Sequence, residues 1–195
     1  EILDILSECE KAGNPDIVYE FVSTSKVSFP GGGVAAVAAS KANVDEILKS
    51  MTIQTIGYDK LNMLRHVRFF KDLDGLKEHM RRHAQILRPK FEAVLKVLNE
   101  ELGGLGIAKW TEPKGGYFIS FEAMEGCAKE IVAKCKEAGV VLTGAGATFP
   151  YGIDPKDSNI RLAPTFPTPE ELAAAADLFV LCVKLVSVEK LLSAY

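Results

Sequence analysis

One segment near the front of the chain combines an amine, two hydroxyls and a run of glycines. Ser23, Ser25 and Lys26 follow the apolar run 17–22, which predicts a buried strand, and they lead into the glycines at 31–33. A lysine amine forms a Schiff base with an aldehyde, while hydroxyls and glycine-flanked N–H groups hold a phosphate. In an extended chain the two serines face one way and the lysine faces the other. This spacing indicates a site for an aldehyde cofactor that carries a phosphate.

Composition and charge narrow the class of protein. The chain has 195 residues, of which 48% are hydrophobic, so it can bury a core and form one or two domains. The net charge of −3 is spread along the sequence, and no basic stripe is present. We therefore expect no nucleic acid and no anionic membrane among its partners. No apolar run is long enough to span a bilayer, and we recognise no signal peptide.

Cysteines and histidines do not form a metal-binding pattern. His79 and His83 are spaced i, i+4, but Met-Arg-Arg lies between them without a glutamate, so we predict a solvated basic helix face and no metal site. Cys-x-x-Cys pairs are absent, and most cysteines occupy apolar helical positions. We predict buried, reduced thiols in a cytoplasmic protein. The four cysteines are Cys9, Cys127, Cys135 and Cys182.

The elements around Lys26 follow the order helix, strand, loop, strand, helix. A helix opens the chain and stops at Gly13, and because no capping residue is evident before it, we expect that further chain precedes it. Strands are predicted at 17–22 and 34–39, both buried, and the next helix starts at Lys41 or Asn43. This order is typical of a doubly wound α/β sheet. Two strands are too few for such a sheet, so we expect the others to come from elsewhere.

The remainder of the chain reads as a long linking helix and a compact second unit. Helical spacing of apolar residues runs from 59 to 102, with an expected break near 72–75 and a kink at Pro89. Four short strands are predicted at 107–110, 117–121, 140–142 and 160–163. Two helices are predicted at 126–138 and, after a capping box that begins at Thr168, from 169 to 192.

Four motifs, in this order along the chain, resemble the C-terminal half of the fold-type I pyridoxal phosphate (PLP) aminotransferases. The stretch 54–66 further resembles bacterial aspartate aminotransferases that are close to the MocR-type proteins. Four weak motifs in one order are much more specific than any one of them. The motifs are Ser-Thr-Ser-Lys at 23–26, Pro-Lys-Gly-Gly-Tyr-Phe-Ile-Ser-Phe at 113–121, Gly-Ala-Gly-Ala-Thr-Phe at 144–149 and Asn-Ile-Arg-Leu-Ala-Pro-Thr-Phe at 159–166.

This resemblance implies an α/β fold in two parts. Residues 1–72 would be the C-terminal segment of the large PLP-binding domain and would contain a remnant of its doubly wound sheet. Residues 73–195 would be the linking helix and the small α/β domain. The resemblance also implies a homodimer whose subunits share active sites, and Gln54, Thr55 and Tyr58 are candidates to reach the neighbouring site.

The resemblance assigns the cofactor to the segment 23–26. Lys26 would form the Schiff base with PLP and then act as the base that moves a proton between the substrate Cα and the aldehyde carbon. Both roles need an amine whose pKa is lowered by burial and nearby positive charge. Ser23 and Ser25 would bind the phosphate. The alternative for Lys26 is a surface lysine, and for the serines it is local hydrogen bonding that ends the strand.

Arg161 is the candidate for the substrate. The resemblance gives it the α-carboxylate, and a planar guanidinium between Ile160 and Leu162 on a strand offers a two-pronged donor to such a group. The alternative is an ion pair between Arg161 and Asp154 or Asp157.

Two features depart from the family pattern. Relatives often carry an arginine that faces the phosphate seven residues after the lysine, where this chain has Gly33. The aspartate that binds the pyridine nitrogen and the residue that stacks on the ring lie upstream of the lysine in the family, in sequence that this chain does not contain. We therefore expect the isolated chain to be inactive.

The implied function is transfer of an amino group between an amino acid, with aspartate as a candidate, and a 2-oxo acid. The rival from another class is the ligand-sensing domain of a MocR-type transcription regulator. A stand-alone interaction module with a structural Lys26 is a third reading, and decarboxylation or β-elimination stays open within PLP chemistry.

Overall fold

A computed structural model of the chain describes residues 3–193. The described residues form two compact units that divide between Arg82 and His83. Each unit combines helices with a small antiparallel sheet, so the predicted α/β class is confirmed.

The first unit contains two strands and three helices, and it includes the start of a fourth helix. The strands are β1 (Tyr19–Ser23) and β2 (Ala35–Ala39). The helices are α1 (Ile5–Lys11), α2 (Lys41–Gln54), α3 (Lys60–Phe70) and α4 (Leu73–Leu102), of which α4 continues into the second unit.

Helix α1 begins with a capping residue, so the expectation of an uncapped helix is wrong. The carboxylate of Asp4 accepts hydrogen bonds from the N–H groups of Leu6 at 3.2 Å and Ser7 at 3.3 Å. Hydrogen bonds from the Ser7 hydroxyl and N–H hold the pKa of Asp4 below its ordinary value. An acidic side chain at this position satisfies N–H groups that the first turn leaves unpaired. The predicted helical residues at 1–2 lie outside the described residues.

Strands β1 and β2 pair antiparallel, with Ser23 opposite Ala35. The prediction that both strands are buried is wrong: Phe21 is 77% exposed and Val22 is 55% exposed. An isolated two-stranded ribbon has no neighbouring strand and no packed layer over its face. The apolar side chains of β1 therefore lie exposed in the described part of the chain, while Val37 and Ala39 of β2 are half-buried.

The predicted break in the long helical run is confirmed. Helix α3 ends at Phe70, Lys71 adopts a left-handed backbone with φ of 66°, and α4 begins at Leu73. A Cβ at Gly75 would collide with the carbonyl oxygen of Phe70, so this close turn requires glycine. Pro89 lies inside α4 without ending it.

The second unit packs one sheet against helices. Strand β4 (Ile119–Ala123) pairs antiparallel with β3 (Ala108–Trp110) on one side and with β5 (Asn159–Leu162) on the other. The end of α4, α5 (Ala128–Glu137) and α6 (Pro169–Leu192) contribute to the same core. Fully buried side chains from these elements include Leu98, Phe121, Ile131, Ile160 and Val183.

Two local predictions for the second unit have different outcomes. The capping box of α6 is confirmed, because the Thr168 hydroxyl accepts from the Glu171 N–H while the Glu171 carboxylate accepts from the Thr168 N–H. The predicted strand at 140–142 is wrong. The Val140 N–H donates to the Cys135 carbonyl at 2.8 Å, which closes the end of α5, and this segment joins no ladder.

All four cysteines are buried and none forms a disulfide, as predicted. Burial, together with the neighbouring Cys182, raises the pKa of the Cys135 thiol to about 12. Within residues 3–193, no group of three His, Cys, Asp or Glu side chains is placed to hold a metal ion. No helix among the same residues is both long and apolar enough to cross a bilayer.

Candidate active site

Lys26 lies in a tight turn directly after β1. The carbonyl of Thr24 accepts from the N–H of Val27 at 2.9 Å and from the N–H of Ser28 at 2.8 Å, which closes the turn around Lys26. The Lys26 side chain is exposed, so the described residues do not supply the burial that the sequence analysis expects of its amine.

The two candidate phosphate ligands point to the same side, as the alternation of an extended chain predicts. The Ser23 and Ser25 hydroxyl oxygens lie 2.6 Å apart, and both residues are exposed. Two adjacent hydroxyls one residue from an amine form a compact donor set for an anion.

The glycine loop closes with a turn that depends on its sequence. The N–H of Gly32 donates to the Phe29 carbonyl at 3.0 Å, with Pro30 at the second position and Gly31, at φ of 73°, at the third. Proline followed by a residue with positive φ is typical of a type II turn. Gly31 is therefore required for its backbone conformation.

The backbone of Gly33 packs closely against the backbone of Ser25. A Cβ at this position would lie 3.1 Å from both N and Cα of Ser25. That spacing is too tight for an ordinary side chain unless Ser25 moves, so the family's arginine does not fit here without a shift of the backbone. Arg65, on α3, brings a guanidinium to the same loop, with Nη1 3.6 Å from the point that a Gly32 Cβ would occupy.

A polar network behind the turn was not predicted from the sequence. The Ser28 Oγ lies 2.9 Å from the Thr24 Oγ1 and 2.7 Å from the His66 Nε2. The amide of Asn62 donates to the carbonyls of Gly32 at 2.9 Å and Gly33 at 3.1 Å. The i, i+4 spacing of Thr24 with Ser28 and of Asn62 with His66 is the signal that was available, but a sequence does not show that the two pairs meet.

His79 differs from its predicted place on a solvated face. Its ring centroid lies 5.2 Å from that of Phe70 and 5.6 Å from that of Phe69, in edge-on contacts. The half-buried ring therefore packs in an aromatic cluster, because α4 folds back beside the end of α3. His83 lies in the second unit.

The residues proposed to reach a neighbouring subunit lie around the end of α2. Gln54 is its last residue, and the Thr55 hydroxyl donates to the Gly57 carbonyl at 2.7 Å. Tyr58 is 51% exposed in the connection to α3.

Arg161 lies in the second unit on β5, between the buried residues Ile160 and Leu162. Its guanidinium carbon is 4.5 Å from the ring centroid of Phe118, a cation–π contact that holds the side chain over one face of the sheet. The Arg161 Nε is buried and has no hydrogen-bond acceptor among the described residues. A buried donor without an acceptor is costly, so this atom is suited to a ligand that supplies one.

Both carboxylates considered as partners of Arg161 are engaged elsewhere, and within residues 3–193 neither forms an ion pair with it. Asp154 accepts from the N–H groups of Ser158 and Asn159, each at 2.8 Å, and Asp157 accepts from the N–H of Lys129 at 3.2 Å. Burial opposes ionisation of Asp154, but these backbone donors outweigh it and hold its pKa below the ordinary value. The ion-pair alternative for Arg161 is therefore wrong.

Further polar side chains surround Arg161, and the sequence analysis missed them. Ser120 is its cross-strand partner, and the Asn159 amide donates to the Ser120 hydroxyl at 3.0 Å. The Thr148 hydroxyl donates to the amide oxygen of Asn159 at 2.6 Å. Asn159 and Arg161 alternate onto one face of β5, so these contacts fix the strand on the side that carries the guanidinium.

These residues fit PLP and an amino-acid carboxylate. In the first unit, two adjacent exposed hydroxyls and a glycine loop stand beside a lysine amine. In the second unit, a buried guanidinium nitrogen lacks an acceptor. Each donor set has the chemistry that its ligand requires.

Two relatives that match nearly the whole chain are named as aminotransferases. An aspartate aminotransferase of Corynebacterium glutamicum is 43% identical over 189 residues, which are 97% of this chain and 44% of that protein. A Mycolicibacterium smegmatis protein that is named as an aminotransferase is 46% identical over 192 residues, 98% of this chain and 45% of that protein. The chain thus spans less than half the length of these relatives.

Two solved aminotransferase structures superpose on almost the whole chain. The crystal structure of an aspartate transaminase from Corynebacterium glutamicum is 43% identical and superposes with a TM-score of 0.93, covering 97% of this chain and 45% of that one. The α-aminoadipate aminotransferase LysN of Thermus thermophilus, at 23% identity and a TM-score of 0.76, shares the fold over 95% of this chain and 46% of that one. The family model described as aspartate amino-transferase matches residues 1–195. The chain belongs to the aspartate amino-transferase family.

Proposed function

We propose that the whole protein is a PLP-dependent aminotransferase that moves an amino group between an amino acid and a 2-oxo acid. The observation that carries this proposal is the convergence of the Ser23 and Ser25 hydroxyls, 2.6 Å apart, beside Lys26 at the end of β1. Membership of the family supports it, and so does the aspartate aminotransferase name of a relative at 43% identity. That name makes aspartate the first substrate to test.

PLP, when bound, supplies an aldehyde that attaches amino groups and a ring that withdraws electrons from them. Lys26 would hold the cofactor through its aldehyde carbon, and its amine would serve as the base that takes and returns the proton at the substrate Cα. Ser23 and Ser25 donate to the phosphate, and the loop that ends at Gly33 lets the backbone approach it. Arg161 orients the substrate through its α-carboxylate.

A second copy of the chain is the proposed macromolecular partner. Large apolar side chains around the end of α2 are exposed, with Ile53 at 87% and Leu61 at 80%, and such patches are typical of protein interfaces. Gln54, Thr55 and Tyr58 lie in the same stretch and would contribute to the partner's site.

The decisive test of the reaction traces the amino nitrogen of the substrate with an isotope label. We expect the whole protein, incubated with PLP, 15N-aspartate and a panel of unlabelled 2-oxo acids, to place the label in the amino acid formed from one of those acids. Mass spectrometry of the products measures this directly. Recovery of the label as ammonia, or loss of carbon dioxide without transfer, would show that the protein catalyses a different PLP reaction.

A further inference from the structure

The hydrogen bonds of His66 define the position of its proton. The Nδ1 lies 2.9 Å from the carbonyl oxygen of Asn62, one helical turn earlier on α3. A carbonyl oxygen only accepts, so Nδ1 carries the ring proton and Nε2 of the neutral ring is an acceptor. The Ser28 hydroxyl, 2.7 Å away, donates to Nε2.

The same network continues to Val34, the residue before β2. The Ser28 hydroxyl also lies 2.9 Å from the Thr24 Oγ1, to which it can donate in place of His66, and 3.2 Å from the Thr24 carbonyl oxygen. Thr24 in turn accepts from the N–H of Val34 at 2.9 Å. A continuous series of hydrogen-bond contacts thus runs from the Val34 N–H through Thr24, Ser28 and His66 to the Asn62 carbonyl.

This series of hydrogen bonds encloses the turn that carries Lys26. Thr24 and Ser28 are the first and last residues of that turn, and both belong to the series. Ser28 is only 5% exposed. The His66 ring is held in place by edge-on packing against Phe29, with centroids 5.1 Å apart. Thr24 and Ser28 lie in the turn, whereas His66 lies on α3, so the His66 side chain ties the turn to that helix.

We propose that His66 is a positioning residue for Lys26: by accepting from Ser28, it sets the turn from which the amine meets the cofactor aldehyde. This inference deepens the proposed function and rests on it. Loss of the Nε2 acceptor leaves the buried Ser28 hydroxyl without its short partner and loosens both ends of the turn.

Three variants of the whole protein separate this role from simple packing. His66→Phe keeps an aromatic ring in the cluster but removes the acceptor. Ser28→Ala removes the donor and leaves the ring untouched. His66→Gln loses the ring, yet its amide oxygen can accept from Ser28 and serves as the matched rescue.

We expect His66→Phe and Ser28→Ala each to weaken PLP binding about tenfold, the effect of one buried hydrogen bond. The double variant should be no weaker than the singles, because both changes remove the same bond. His66→Gln should bind PLP within about threefold of the unchanged protein. The readouts are the PLP dissociation constant and the visible absorption of the bound cofactor.

Backbone amide hydrogen exchange over residues 24–34 of the cofactor-free protein gives a readout that does not depend on PLP. We expect faster exchange at Ser28 and Val34 in His66→Phe and Ser28→Ala, and near-normal exchange in His66→Gln. Unchanged exchange and unchanged PLP affinity in both single variants, additive losses in the double variant, or a His66→Gln protein as impaired as His66→Phe would each overturn the inference. An unchanged protein that binds no PLP would instead remove the proposed function, while the exchange data still report on the turn.

Discussion

Lys26→Ala is expected to lower the rate of amino transfer by the whole protein about a thousandfold or more. The change removes the amine that we propose holds the cofactor and moves the substrate proton, and general acid–base catalysis alone contributes about a hundred- to ten-thousandfold. Steady-state transfer of 15N from the amino acid measures the loss. Added small primary amines should restore part of the rate, because they supply a base at the vacated position.

Lys49→Ala is the matched control for this result. Lys49 lies on α2 in the same unit, exposed and paired with Glu46 at 2.6 Å, and exposed pairs contribute little to stability. Its removal should leave transfer unchanged. A Lys26→Ala protein that retains most of its activity would show that Lys26 is a surface lysine and that another amine serves the cofactor.

Arg161→Lys is expected to lower kcat/KM for amino acids and 2-oxo acids about ten- to a hundredfold. Lysine keeps the charge but loses the planar, paired donors, and a charge-assisted hydrogen bond contributes roughly 1.5–3 kcal/mol. The contact of the guanidinium with Phe118 at 4.5 Å is also lost, which weakens the hold on the side chain. Cofactor affinity should survive, since no group in the Lys26 segment is altered.

Two comparisons make the Arg161 result specific. Amines that lack a carboxylate should react equally well with Arg161→Lys and with the unchanged protein. Arg88→Lys, on the exposed side of α4, should alter neither class of substrate. Unchanged amino-acid kinetics in Arg161→Lys, or failure of that variant to fold while Arg88→Lys folds, would assign Arg161 a structural role and move the substrate site elsewhere.

The elements that the sequence predicts well are those whose signals are local. The Thr168 capping box and the break before α4 both depend on residues within a few positions of one another. The Asp4 cap was local too and was missed, because the apolar residues around it extend the helical pattern past the true start.

Two predictions that depended on a distant partner failed. The segment 140–142 has the composition of a strand, but a strand exists only if another edge pairs with it, and here its first N–H closes a helix instead. Likewise, the apolar run in β1 predicts burial, whereas exposure depends on what packs over Phe21. The composition of a segment shows neither whether another strand pairs with it nor what packs over its side chains.

In the candidate site, too, contacts between sequence neighbours were predictable and contacts between distant residues were not. Ser23, Ser25 and Lys26 are neighbours in sequence, so alternation along a strand was enough to predict that the two hydroxyls converge. Contact between Ser28 and His66 joins residues 38 positions apart and follows only from the path of the chain through the glycine loop. Assignment to the MocR-like branch and the residue roles stay predictions.

The central claim is that the cofactor attaches at Lys26, and its most direct test is covalent. The whole protein, loaded with PLP and reduced with borohydride, is digested and mapped by mass spectrometry. We expect the reduced pyridoxyl adduct on the peptide that contains residues 23–33, with the modified residue at Lys26. An adduct on any other lysine, or none on a protein that binds PLP, would contradict the account.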